Sequence, residues 1–119
     1  MQVTTKVSER SAAAASGSPV TILAFAGDIS SASKDAILAA YHGIDGGCSK
    51  ILLDFTGVDY INSSGIAIVI QMLLEAGKTG TQSVGIFGLS PHFQKVFTMV
   101  GINKYASLLK DEASALAAI

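Results

Sequence analysis

Of 119 residues half are hydrophobic and only 14% are charged, so the chain can fill one globular core and does not have the composition of a disordered polymer. A net charge of −1 excludes the basic stripe that a sequence-independent nucleic-acid binder needs to neutralise phosphates. The lone Cys48 excludes a disulfide framework and a thiolate metal cluster, and no apolar run has the length of a membrane span, so a cytoplasmic protein with no membrane contact is expected.

Taken in chain order, Gln2 to Ser8 alternates loosely and predicts an edge strand with one covered face. Ser11 to Pro19 is small and polar and reads as a hairpin-like loop, although its four alanines also suit a helical turn. Val20 to Ala26, rich in apolar and β-branched residues, predicts a central strand that stops at Gly27-Asp28. Ser30 or Ser31 can cap a helix in which Ile37, Leu38, Tyr41 and Ile44 share a face, with Gly43, Gly46 and Gly47 ending it. Ile51 to Leu53 predicts a buried strand, Thr56-Gly57-Val58-Asp59 a turn, and Tyr60-Ile61 a second short apolar piece.

Asn62-Ser63-Ser64-Gly65 then precedes the long apolar segment Ile66 to Leu74, which has helix length; Gly77 and Gly80 are placed to close it. Ser83 to Leu89 predicts another strand. Ser90-Pro91 pairs an N-cap with proline at the first helical position and starts a helix to Met99, with Gly101 behind it. Ile102 to Leu109 suits a short edge strand, and Asp111 caps a terminal helix. The alternation of strand and helix predicts one α/β domain over residues 1–119. Its central sheet is mostly parallel or mixed, of four to five strands with helices packed against it. In such sheets function gathers at the carboxyl ends of the strands, here Gly27-Asp28, Thr56 to Ser64 and Gly88 to Pro91, which are expected on one rim.

The Asn62–Gly65 corner carries the functional reading. Asn62 is a natural N-cap, and two hydroxyls stand where the helix dipole and open N–H groups favour an anion. Ser63 and Ser64 are either the small polar residues that a helix start needs, or one of them accepts a phosphoryl group. A phosphoserine there would be tolerated by the helix end yet add roughly −1.5 to −2 charges to any partner-facing surface. At 100° per residue Ile66, Val69, Ile70 and Leu73 share the face expected against the sheet. Ser64, Ile68, Gln71 and Glu75 lie opposite with Met72 at the border, so Ile68 and Met72 are expected to form an exposed patch for a partner.

Catalysis finds little support. The G-x-S-x-G elbow and a Gly-Lys-Ser/Thr phosphate loop are absent, and His42 and His92 read as surface histidines. Asp54 and Asp59 lack the acidic pair that an aspartyl-phosphate receiver uses to hold its metal, Asp28 standing alone after the earlier strand. No catalytic residue, cofactor or metal is expected.

The stretch Asp54-Phe55-Thr56-Gly57-Val58-Asp59-Tyr60-Ile61-Asn62-Ser63-Ser64-Gly65-Ile66-Ala67 resembles the signature of the STAS domain, found in bacterial anti-sigma factor antagonists and sulfate-transporter tails. Phe25-Ala26-Gly27-Asp28-Ile29 is similar to the family's Gly-Glu/Asp turn. Gly88-Leu89-Ser90-Pro91-His92-Phe93-Gln94-Lys95-Val96-Phe97 and the following Met99-Val100-Gly101-Ile102 are similar to its Ser-Pro helix. The likeness covers about residues 18 to 110.

The resemblance implies a protein without enzymatic activity that binds an anti-sigma factor, often itself a serine kinase, and so releases a sigma factor for transcription. It implies phosphorylation at Ser63, with Ser64 as the second candidate, and reversal by a PP2C-type phosphatase. Partner contacts would fall at Asp28, Asn62, Ser63, Ser64 and Ile68, with Met72 beside them. One position departs from the family: its aspartate before the serines is Asn62 here, which keeps the cap and drops a charge. Two other roles are consistent with the same residues, a constitutive scaffold in a sensory complex and a small-ligand or nucleotide binder at the anion-friendly corner.

Overall fold

The computed structural model describes residues 6–14, 17, 19–43, 50–78 and 83–118. Five strands form one sheet in the order of the chain, β1 (Lys6–Ala13), β2 (Pro19–Ile29), β3 (Lys50–Ile61), β4 (Ser83–Phe87) and β5 (Ser107–Leu109). β1 runs antiparallel to β2, and every later pairing is parallel, which gives the expected mixed sheet. The parallel strands are joined by α1 (Lys34–His42), α2 (Ser63–Lys78) and α3 (Pro91–Met99), and α4 (Glu112–Ala118) ends the chain. Each parallel strand is added on the same side of its predecessor, so right-handed crossovers carry all three connecting helices to one face.

The sheet is buried on both faces, and the strand residues divide accordingly. Leu23, Phe25, Ile51, Leu53, Phe55 and Ile86 belong to the larger core under the connecting helices. Phe55 is its aromatic centre, tilted against Phe25 at 5.1 Å and edge-on to Phe97 of α3 at 5.8 Å. Val20, Ile22, Leu52 and Phe87 point the other way and are covered through Ala115 of α4. Two-sided burial is why β2 and β3 read as continuous apolar runs instead of alternating ones.

Several local expectations change. The first strand continues to Ala13, so Ala12 and Ala13 are strand residues paired with Val20 and Pro19, and Ala15 lies outside the described residues. Beyond the strand the Gly17 N–H donates to Ala14 O at 2.8 Å; Gln2 to Thr5, Ser16 and Ser18 lie outside the described residues. β2 does not stop at Gly27-Asp28 but passes through them to Ile29.

Likewise, Thr56 to Asp59 are not a turn between two strands. They lie inside β3, where two register shifts against β2 insert extra residues, first between the pairs Ala24–Asp54 and Ala26–Gly57, then between Gly27–Val58 and Asp28–Tyr60. The Asp54 side chain accepts from the Thr56 N–H at 2.8 Å, so the first bulge keeps its donor satisfied without a sheet partner. Turn-forming residues serve a bulge here, and the bulges let β3 outrun β4 and finish beside the end of β2.

The caps of α3 and α4 are as expected, and the limits of α1, α2 and β5 are not. Ser90 Oγ accepts from the Phe93 N–H at 3.3 Å, with Pro91 behind it, and Asp111 Oδ1 accepts from the Ser114 N–H at 2.8 Å. Gly101, at φ +87°, takes the left-handed position after α3 that an L side chain resists. α1 starts at Lys34, after a 3-10 turn over Ser31–Ser33, and neither Ser30 nor Ser31 is its cap. α2 runs through Gly77 to Lys78, and Ile44, Gly46, Gly47 and Gly80 lie outside the described residues. The expected strand over Ile102 to Leu109 is a 3-10 turn at Ile102–Lys104 followed by the short β5.

Candidate functional site

The carboxyl ends of β2 and β3 meet as the sequence suggests. Asp28 pairs with Tyr60 and Ile29 with Ile61, and the Asn62 N–H donates to Ile29 O at 3.1 Å. β4 ends farther back, its last residue Phe87 paired with Asp54, and Gly88 lies against Thr56. The third strand therefore reaches this rim through α3, whose Phe93 ring meets Tyr60 edge-on at 6.0 Å.

Asn62 caps α2 as expected, its Oδ1 accepting from the Gly65 N–H at 2.8 Å. Directly after it Ser63 and Ser64 are exposed, on a helix end that carries partial positive charge and open N–H groups. Gly65 is buried against β2. A Cβ there would stand 2.5 Å from Ile29 O, a distance real side chains do not adopt. Only glycine lets α2 begin this close to the β2 end, and that contact turns Ser63 and Ser64 outward.

The end of β2, which carries Asp28, is held by the loop that follows it. Ser33 is fully buried, its Oγ accepting from the Ser30 N–H at 3.0 Å and donating to Asp28 O at 3.5 Å. Ser33, Ile29 and Asn62 thus tie the β2–α1 loop to the start of α2, with Asp28 and Asp59 exposed on either side of Tyr60.

The expected patch on α2 is not where the helical wheel puts it. Ile68 is 6% exposed and Met72 1%, both in the main core, so neither presents a surface to a partner. The buried stripe is Gly65, Ile68, Val69, Met72 and Leu73, with Ile66 and Ile70 half-buried at its flank. That is a rotation of about one residue, roughly 100°, from the expected face. Ile66 to Leu74 is apolar nearly all round, so periodicity leaves the rotation open; the Gly65–Ile29 contact decides it. The residue overlooked is Tyr60. It is 57% exposed at the rim, and no periodicity marks it, because Asp59 and Tyr60 are both exposed where β3 is bulged.

Among the described residues no hydrogen bond joins either histidine to Ser63 or Ser64. His42 Nε2 sits 3.1 Å from Glu75 Oε2, twelve residues along α2 and thus about 18 Å from Ser63. Among the described residues no cluster of His, Cys, Asp and Glu could hold a metal ion, and no helix is long and apolar enough to cross a membrane.

Several solved structures share this architecture. An anti-sigma factor antagonist from Mycobacterium paratuberculosis superposes with a TM-score of 0.74 at 17% identity, over 96% of this chain and 94% of that one. The unphosphorylated form of the Bacillus anti-sigma factor antagonist SpoIIAA gives 0.63 at 14%, over 90% of each chain. The murine anion transporter Slc26a9 gives 0.69 at 17%, over 82% of this chain and 17% of that one. At these identities the likeness establishes a common fold. No curated protein matches in sequence. A family model described as "Mlab, STAS domain" matches residues 11–110, both flanks of the Asn62–Gly65 corner included, and the chain belongs to the STAS-domain family.

Proposed function

We propose that this protein is an anti-sigma factor antagonist, a cytoplasmic binding module without catalytic activity whose capture of an anti-sigma factor is switched off by phosphorylation of Ser63. The observation that carries the reading is Ser63 itself, exposed in the first turn of α2 directly after a capped Asn62. A phosphoryl group there meets a positive helix end, which offsets part of its cost to the fold, while its charge faces the solvent side where a partner docks. Exposed Asp28, Ser64 and Tyr60 with half-buried Asn62 form the surrounding contact surface, with Tyr60 taking the apolar part earlier given to Ile68 and Met72. The partner is an anti-sigma factor that is itself a serine kinase, and a PP2C-type phosphatase reverses the modification. SpoIIAA, which shares this fold, has also been solved in a phosphorylated form.

Ser63→Asp is expected to weaken capture of the anti-sigma factor while the melting temperature barely moves, and Ser63→Ala to bind like wild type. Equal capture by wild type and Ser63→Asp refutes the switch. Asn62 favours one alternative, a constitutive scaffold in a sensory complex, because the loop has lost a carboxylate that a family kinase would read. Phosphopeptide mapping of protein from its own cells, in growth and after stress, separates the two. A phosphate on Ser63 that varies with condition supports the switch, and its absence under good coverage of Tyr60 to Glu75 supports the scaffold.

A further inference from the structure

Away from the rim, α3 ends in a second exposed surface. Met99 is 78% exposed, Val100 48% and Tyr105 50%, although all three stand within seven residues of one another. They are also spatially close, because the backbone folds tightly between them. The Val100 N–H donates to Val96 O, that of Gly101 to Thr98 O, that of Lys104 to Gly101 O and that of Tyr105 to Ile102 O. The inward side chains of the same segment, Phe93, Phe97 and Ile102, are already in the core, and among the described residues the outward ones remain exposed.

Two exposed lysines, Lys95 and Lys104, belong to this segment, and no acidic residue lies between Glu75 and Asp111 along the chain. Lys95 is exposed one helical turn before Met99, and the stem of Lys104 reaches within about 4 Å of where a Gly101 Cβ would stand. Neither lysine is in an ion pair among the described residues.

We propose that Lys95, Met99, Val100, Lys104 and Tyr105 form a docking surface for an acidic protein segment that inserts an apolar side chain beside Met99. An adaptable methionine and a tyrosine flanked by free ammonium groups match such a segment, since apolar burial supplies affinity and the lysines select for carboxylates. A membrane surface fits less well. Its binding needs a broad apolar face or several basic residues, and α3 has spent its apolar face on the core. Met99 stands six residues, about 9 Å of helix rise, beyond Phe93 of the Tyr60–Phe93 contact, so the apolar part of the surface lies apart from that rim.

The test is an NMR titration of the 15N-labelled chain with a synthetic twelve-residue peptide of aspartate and glutamate around one Leu-Phe pair. Its controls are the same peptide with every acid replaced by lysine, and anionic phosphatidylglycerol vesicles. Saturable shifts confined to residues 95–105 are expected with the acidic peptide only. Met99→Ser and Lys104→Glu should each weaken binding about tenfold, the size of one lost contact. Ser63→Asp should leave the affinity unchanged. No saturable shift at millimolar peptide, an equal response to the lysine peptide, or shifts centred on Tyr60 to Ser64 would overturn the proposal. Partition onto the vesicles would reassign the surface to a membrane, and the same shifts on concentrating the protein alone would reassign it to a second copy.

Discussion

Gly65→Ala isolates the contact that sets the functional corner. A methyl at that position would lie 2.5 Å from Ile29 O and 2.9 Å from both its carbonyl carbon and its Cγ2, where ordinary contact begins near 3.4 Å. Two of the three atoms are backbone in a paired strand, so α2 must retreat by roughly 0.9 Å instead of a side chain turning away. Overpacking of this kind costs about 1–3 kcal/mol. The retreat also lengthens the 3.1 Å bond from the Asn62 N–H to Ile29 O, at about 1 kcal/mol. Alanine returns about 0.5–1 kcal/mol as the better helix former, which leaves a net loss near 2 kcal/mol. For a domain of this size 1 kcal/mol moves the melting temperature by about 4 °C, so a fall of roughly 8 °C is expected. Urea unfolding measures the free energy and a thermal melt the midpoint, both followed by circular dichroism, with Ser64→Ala, exposed on the same turn, as the control that should stay within about 0.5 kcal/mol. A Gly65→Ala protein as stable as wild type would refute the argument, because helix propensity alone would then explain the position.

Other outcomes follow from the same geometry. Asn62→Ala removes the acceptor for the Gly65 N–H and should cost about 1 kcal/mol in urea unfolding. Asn62→Asp should match wild type or exceed it by about 0.3–1 kcal/mol at pH 7, an advantage that disappears below about pH 4 as the carboxyl protonates. Met72→Ala should cost about 2–5 kcal/mol if the side chain is in the core as described, and almost nothing if it were the exposed patch that helical periodicity suggests. Asp111, capping α4, has its carboxyl held below the usual value chiefly by the Ser114 backbone N–H and then by the Ser114 side chain. Its folded-state value is depressed, so its stabilisation is present above the unfolded value and is lost as pH falls through the folded one. A side-chain NMR titration should show Asp111 ionising below pH 3.8, and Asp111→Asn should remove that part of the acid dependence.

By itself the amino-acid sequence determined whatever depends on neighbours along the chain. Asn62, Ser90 and Asp111 cap helices as their side chains dictate, because an N-cap is closed within three residues. Strand type in β2 and β3 was equally legible, since burial on both faces requires unbroken apolar runs. Tertiary structure alone decided three things. It made Thr56 to Asp59 a pair of bulges, because their N–H and C=O groups face a neighbouring strand that the local sequence does not contain. It set the rotation of α2, because an apolar helix has no preferred face until a specific contact, here Gly65 on Ile29, excludes the others. And it left Tyr60 and Met99 exposed, because a core of fixed volume is already filled by Phe55, Phe93 and Phe97.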